Sequence, residues 1–306
     1  MRFGRLTVDI TSRDKILFPD DGITKGEVCD YYRLVAPRMV PLLERRPITM
    51  QRYPNGVAGE SFFHKEAPSR FPDWIARAAM EKEDGVVNQV VIDKAATLVF
   101  LANQYCLTPH AALSRLDRPY HPDRLVFDLD PGEGGFQVAR EVADHLRLLL
   151  TDLGLVPYCA VTGSRGIHVL APLDRSADFD TVRSFARQVA TIMVRQRPKQ
   201  VTMENRKSDR QGRLYLDIMR NAYGQHAVAP YAVRARPQAP LAMPISWSEL
   251  QDPEMQARRF TLRQAEAALA RPDPWEYLAR RGRSLGQPLQ KIEFLVGTPR
   301  QGTQPS

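Results

Sequence analysis

The chain of 306 residues is 43% hydrophobic, enough to bury the core of two domains or of one large one. Its 43 Lys and Arg against 35 Asp and Glu leave a net charge of +8, which suits a polyanionic partner without demanding one. It holds no run of about 18 apolar residues, which excludes a helical membrane span, and its three cysteines lie far apart with no CxxC, which argues against zinc and against a disulfide framework.

In chain order, MRFGRLTVDI carries no secretory or transit signal, so a cytoplasmic protein is expected. Thr24 to Glu27 fits a capping box opening a helix with Val28, Tyr32, Val35 and Met39 on one side. Pro37 and Pro41 predict a break or kink in it. PITMQRYPNGVAGESFFHK, from residue 47, predicts two strands around a turn at Asn55-Gly56. VVNQVVI predicts another strand, with Asp93 capping the helix after it. Residues 1–120 therefore read as an N-terminal α/β subdomain.

The middle of the chain, 121–245, is more regular. Residues 124–130 predict a strand, and 137–153 a helix with Val138, Val142, Leu146, Leu149 and Leu153 on one face and Gly154 as its stop. LVPYCAVT and IHVLAPL predict two strands joined by the GSRG turn. A helix over 178–195 buries Val182, Phe185, Val189 and Met193, and RLYLDIM predicts a fourth strand. The order β-α-β-β-α-β is the ferredoxin-like (RRM-like) pattern, in which the first and third strands are central and the fourth lies beside the first. The expected fold is thus α+β, with this core packed against the N-terminal subdomain. Beyond it, SWSELQ and LRQAEAALA predict short helices in a C-terminal segment, 246–296, and the Gly/Gln/Pro/Ser-rich end, 297–306, a disordered tail.

Chemistry enters at LVFDLDPGEGG. Strand alternation sends Leu125, Phe127 and Leu129 to a core and both Asp128 and Asp130 to the other face. Asp217 in LYLDIM and His168 in GIHVL fall on the same open face of neighbouring strands. Like charges this close need a cation between them, and an all-oxygen set suits Mg²⁺ or Mn²⁺. From Arg195 to Arg236 ten Lys/Arg stand against three Asp/Glu, a local net charge of +7. In TGSRGIHV, Gly163 and Gly166 bracket Ser164 and Arg165 in a turn whose N–H groups converge on an anion. It is neither a P-loop nor a dinucleotide fingerprint. Alone it reads as an ordinary hairpin turn; beside three carboxylates it reads as a phosphate site. Together these features point to phosphoryl or nucleotidyl transfer, one ion activating the attacking oxygen and the other neutralising a leaving pyrophosphate.

RLVFDLDPGEG, TGSRGIHVLAPL and LYLDIMRNAYGQHAVAPYAVRARPQAP resemble the three motifs of the polymerase domain of bacterial DNA ligase D, in the archaeo-eukaryotic primase superfamily. DKILFPDDGITKGEVCDYY, RPITMQRYPNG, FFHK and PISWSELQDP extend the likeness over most of residues 5–270. It implies a primase-polymerase type of fold and a template-dependent nucleotidyltransferase that fills gaps and extends ends in bacterial non-homologous end joining. Such enzymes prefer ribonucleotides and manganese, and they bind the 5′-phosphate of the downstream strand. By resemblance, Asp128, Asp130 and Asp217 are the catalytic ligands of two Mn²⁺ or Mg²⁺ ions. Arg52, His110, Ser164, Arg165, Gly166, His168 and Arg234 then belong to the NTP or dNTP site. Lys15 and Lys25 grip the 5′-phosphate, Phe62 and Phe63 stack near the templating base, and Lys65 of FFHK joins the DNA contacts.

The chain departs from the family in three places. Arg165 stands where relatives often carry lysine, Gly224-Gln225-His226 where some place a lysine, and Gln51 replaces a basic residue. Weaker triphosphate affinity is the expected consequence. No ligase motif with a nucleophilic lysine and no nuclease segment is visible, so a free-standing polymerase domain at the nucleoid is expected, with joining left to Ku and a separate DNA ligase. Two other readings are an aspartyl-phosphate phosphatase, whose first motif also ends in D-x-D, and a DNA-end bridging module without catalysis. The phosphatase pattern needs Thr or Val where Gly132 stands, and a later acidic pair with a lysine, none of which is found in register. Primer extension on a recessed end separates all three.

Overall fold

In the computed structural model, which describes residues 1–82 and 84–297, two short hairpins come first. They are β1 (Arg2–Phe3) with β2 (Leu6–Thr7), and β3 (Ile16–Phe18) with β4 (Ile23–Thr24). Helix α1 (Lys25–Leu43) starts as the capping box predicts: the Glu27 N–H donates to the Thr24 hydroxyl, and the Thr24 N–H donates to the Glu27 carboxylate at 2.8 Å. The expected break at Pro37 and Pro41 does not occur, and the helix runs through both. Both prolines lie on its exposed side, so the hydrogen bonds they delete fall toward solvent, while Val28, Val35, Met39 and Leu43 anchor the other side in the core.

The first large sheet is built from β5 (Pro47–Arg52), β6 (Phe62–His64), β7 (Arg77–Lys82), β8 (Gly85–Val91) and β9 (Cys106–Ala112), joined from far along the chain by β17 (His226–Val228). Its order is β17-β9-β5-β8-β7, with β6 paired to β5 across the predicted turn. Helix α2 (Ala95–Asn103) packs beside α1. Asp93 does not cap it. Lys94 holds the N-cap position with no side-chain capping bond, and Asp93, one residue too early, accepts from the Thr97 hydroxyl at 3.0 Å and from Lys94 Nζ at 2.9 Å instead. Ile48, Met50, Val90, Leu107 and Ala111 are buried in the core, which leaves Thr49, Gln51, Gln89 and His110 on the opposite face.

A small hairpin of β10 (Ser114–Arg115) and β11 (Arg118–Pro122) leads into the second sheet. There β12 (Arg124–Asp130), α3 (Gly135–Asp152), β13 (Tyr158–Val161), β14 (Ile167–Pro172), α4 (Phe179–Gln196) and β16 (Leu214–Asp217) realise the predicted order, with β15 (Val201–Thr202) and β18 (Met243–Ile245) added at the edges. The sheet reads β15-β16-β12-β14-β13-β18, so the fourth core strand lies beside the first and the first beside the third, as the ferredoxin-like pattern requires. Leu125, Phe127 and Leu129 are fully buried, as are Val142 and Leu146 of α3 and Val182, Phe185, Val189 and Met193 of α4. The buried stripe of α3 passes through Leu150 rather than Leu149. On the other face Val126 and Leu170 meet Ala111 and Val228 of the first sheet around a cavity of about 30 Å³.

The two sheets are tied by a buried ion cluster. Asp123 accepts from Arg46 at 2.6 Å and from Arg115 at 2.7 Å. Helices α5 (Trp247–Leu250) and α6 (Ala265–Leu269) occupy the segments predicted for them, and α7 (Gly286–Gly297) packs on α4. From residue 298 the predicted tail lies outside the described residues. Among the described residues, no helix is long and apolar enough to cross a membrane.

Candidate active site

Asp128 pairs across the sheet with His168 on β14 and with Asp217 on β16. Directly opposed residues share a face, and Asp130, two residues on, joins them. That face opens into a cleft of about 360 Å³, walled by His110, Ala227 and Val228 from the first sheet and by Ser164, Arg165 and Gly166 from the β13–β14 turn.

Two aspartates facing each other on neighbouring strands repel, and nearby cations offset that repulsion. His168 Nε2 lies 3.5 Å from Asp128 Oδ1. Burial pushes the Asp128 carboxyl up, but the charge and hydrogen bond of His168, with Arg220 and Arg234 beyond it, outweigh burial and hold it below the usual carboxylate range. One guanidinium nitrogen of Arg165 reaches both Asp130 oxygens, at 2.9 and 3.1 Å, and Arg210 reaches one of them at 3.2 Å. The Arg210 guanidinium also sits 4.0 Å over the Tyr215 ring. Asp217 accepts from the Met219 N–H at 2.7 Å.

The turn is shaped by close approach. Thr162 Oγ1 accepts from the N–H groups of Ser164 and Gly166 at 3.3 and 3.2 Å. A Cβ on Gly166 would lie 1.9 Å from the Leu129 carbonyl oxygen, so only glycine fits. Arg234 donates to the Thr162 carbonyl at 3.2 Å and extends along the same wall. His110 faces Gln51 Oε1 at 3.4 Å and the Phe63 ring edge-on at 5.5 Å. Burial, then the charges of Arg234 and Arg220, push the His110 pKa down to about 3, so its imidazole is neutral at pH 7.

The remaining predicted residues lie outside the cleft. Phe62 and Phe63 are exposed on β6, and Lys65 donates to the Gly224 carbonyl at 3.1 Å. Lys15 and Lys25 converge on the Tyr105 ring, 4.9 and 4.7 Å from its centroid. Lys15 donates to the Pro54 carbonyl at 2.7 Å; Lys25 donates to the Thr11 hydroxyl at 3.1 Å and the Asn103 carbonyl at 3.4 Å. Lys25 is fully buried, and burial lowers its pKa, with Cys29 acting against this and the Lys15 charge adding to it. Arg52 is not brought to the triphosphate group. Its guanidinium is spent on the Gln104 carbonyl at 2.8 Å and faces His64 Nδ1 at 3.4 Å.

Arg210, Arg220, Arg236, Asn205 and Tyr215 line the cleft without having been singled out from sequence. The basic stretch 195–236 held the signal for the three arginines, but charge count alone carries no direction. Among the described residues, no three His, Cys, Asp or Glu side chains converge closely enough to hold an ion as they stand, Asp130 being committed to Arg165 and Arg210. The donor set itself, carboxylate oxygens in register on one face, is that of a hard divalent cation.

The sequence pattern of the family described as LigD, primase-polymerase domain, matches residues 24–275. The multifunctional non-homologous end joining protein LigD of Mycolicibacterium smegmatis is 39% identical over 256 residues, which covers 83% of this chain and 34% of that protein. The bifunctional LigD of Bacillus subtilis is 31% identical over 246 residues, 80% of this chain and 39% of its own length, so the chain spans well under half of these curated relatives. The polymerase domain of Mycobacterium tuberculosis ligase D, solved in complex with DNA, superposes with a TM-score of 0.84 at 34% identity, over 90% of this chain and 99% of that one. The match runs from the capping box of α1 through the carboxylate face to beyond α6, and the chain belongs to the LigD primase-polymerase domain family.

Proposed function

We propose that this chain is a template-directed nucleotidyltransferase that fills gaps and extends 3′ ends at DNA breaks in bacterial non-homologous end joining. The observation that carries this reading is the shared face of Asp128, Asp130 and Asp217 in a cleft lined by Arg165, Arg210, Arg220 and Arg234. It sets carboxylates for a hard cation beside guanidinium groups for a polyphosphate. The three aspartates would hold Mn²⁺ or Mg²⁺, which when bound activates the attacking hydroxyl and neutralises the leaving pyrophosphate.

The other roles fall to the chain's own groups. Ser164, Arg165, His168 and Arg234 bind the triphosphate, which competes with Asp130 for Arg165 and Arg210, and Gly166 shapes the turn that presents them. His110, held neutral, lines the nucleotide pocket without adding charge. Exposed Phe62 and Phe63 offer stacking surfaces to the template, with Lys65 beside them. Lys15 and Lys25 form a separate anion site: two ammonium groups meet over one ring, and among the described residues neither makes an ion pair. A 5′-phosphate on the downstream strand supplies the missing negative charge. The DNA-bound M. tuberculosis domain supports the DNA part of this reading. Ribonucleotides are the preferred substrates, Ku and a DNA ligase the partners in joining, and the nucleoid the place of work.

The test is extension on gapped DNA bearing a 5′-phosphate, with each ribo- and deoxyribonucleotide and with Mn²⁺ or Mg²⁺ in turn. Template-matched addition, stronger with ribonucleotides, is expected. End binding without any extension would leave the bridging reading in its place.

A further inference from the structure

Beside the cleft lies a second opening that no role above explains. It is a groove of about 670 Å³ between the β7–β8 hairpin, β17 and the second sheet's approach, lined by Gln89, Ala112, Tyr120, Phe179, Tyr223 and His226 among others. It continues the sheet face of the cleft. His110 and Val228 line the cleft, and Ala112 and His226, two residues along the same paired strands, line the groove. Two residues along a strand is a step of about 7 Å.

Two of its lining side chains are buried and incompletely satisfied. Gln89 is 2% exposed and His226 8% exposed, and the Nε2 atom of each lacks a hydrogen-bond partner. Burial, with the Lys65 charge, pushes the His226 pKa down to about 4 against the opposing influence of the Gly224 and Pro47 carbonyls, so the ring is neutral at pH 7. Leaving such groups unpaired is costly, and each in a native structure calls for an explanation. The opposite wall is aromatic. Tyr120 and Tyr223 lie with centroids 5.0 Å apart and ring planes tilted by 30°, and Phe179 meets Tyr223 edge-on at 5.8 Å. Both tyrosines tie the hairpin in place through Glu81: the Tyr120 hydroxyl donates to its carboxylate, and the Tyr223 hydroxyl to its backbone carbonyl at 3.2 Å. Lys65 and Lys82 also line the groove, offset by Glu66 and Glu81, so it carries no net charge.

A ligand for this groove needs a flat body to lie against the tyrosines and an edge with hydrogen-bonding groups for an amide and a neutral imidazole. A nucleobase has both. We propose that the groove is a second nucleobase site, distinct from the catalytic cleft, that takes a base against Gln89 and His226 and the aromatic wall. The base comes from a free nucleotide or from an unpaired nucleotide of a DNA strand lying in the adjoining cleft. The inference takes its setting from the polymerase reading, but its test needs no catalysis.

The probe is 2-aminopurine, whose fluorescence is quenched on stacking, offered as the free ribonucleoside monophosphate and, separately, at one unpaired position of a 3′ overhang on duplex DNA. The full chain is compared with Gln89→Leu, Gln89→Glu and His168→Ala, with thermal melts to show that each is folded; Gln89→Glu keeps the shape of the side chain and removes its donor. Quenching is expected with wild type and with His168→Ala in at least one arm, and about five- to tenfold weaker binding with the folded Gln89 variants. A response to the monophosphate assigns the site to free nucleotides; a response to the overhang alone assigns it to a strand. No quenching with wild type in either arm, wild-type affinity in the folded Gln89 variants, or loss of quenching in His168→Ala overturns the proposal. Extension at a gap, run on the same wild-type preparation, reads the polymerase function separately, so its failure leaves the nucleobase site standing.

Discussion

Asp128 and Asp130 differ in what holds them, though they lie on one face: Asp128 leans on His168, while Asp130 is captured by Arg165 and Arg210. Both carboxylates are needed if a cation is to sit on that face. Alanine at either position should therefore reduce nucleotide addition to background, while affinity for gapped DNA changes by less than about threefold, because phosphate contacts elsewhere supply that affinity. Primer extension and fluorescence anisotropy on the same variants read the two effects. Near wild-type extension by the double variant would remove the basis for the cation site.

Two elements carry predictions of their own. In the β13–β14 turn, the 1.9 Å approach of a Gly166 Cβ to the Leu129 carbonyl means that Gly166→Ala must displace the turn from β12. We expect a loss of about 2 kcal/mol of stability and a nucleotide KM raised by about tenfold or more, since the Ser164 and Arg165 side chains move with the turn; denaturant melts and nucleotide titrations check both. Where β3 and β4 lead into α1, Lys15 and Lys25 present paired charge over Tyr105. Wild type should prefer a gap with a phosphorylated 5′ end by about tenfold, the worth of one charge-assisted contact. Replacing both lysines with alanine should erase that preference. Equal wild-type affinity for phosphorylated and hydroxyl ends would refute the assignment.

At the scale of the whole molecule, Asp123 joins the sheets. It is 6% exposed and faces Arg46, itself 1% exposed, with Arg115 and Arg124 close by. Asp123→Ala strands buried guanidinium groups and should cost about 3–5 kcal/mol of unfolding free energy in urea. The pH dependence has its own signature. His110 and His226 are driven down to about 3 and about 4 by burial first and neighbouring cations second. Unfolded, both return to about 6.5. Below that value the unfolded chain takes up protons that the native chain refuses, so stability is full above it and falls as pH drops toward 4. Melting temperature should decline from pH 7 to pH 5, and His226→Gln should flatten part of that decline.

Much of the site was legible from sequence because it rests on local rules. Alternation along a single strand sends Asp128 and Asp130 to one side of β12, and the element order β-α-β-β-α-β then brings His168 and Asp217 alongside. The capping box at Thr24 is equally local, four residues satisfying their own donors. What only the tertiary structure decided concerns partners distant in sequence. Arg210 and Arg220 turn into the cleft, Arg52 turns away to Gln104, and Lys25 is buried whole against Thr11 and Asn103. α1 runs through two prolines because packing on its far side outweighs the bonds they remove. β17 leaves the second sheet's stretch of chain to pair with β9, and so closes the cleft and frames the groove beside it. Periodicity assigns a side chain to a face through backbone geometry spanning a few residues. Which long, flexible charge finds which carbonyl or carboxylate depends on where remote segments come to rest, and no local pattern encodes that.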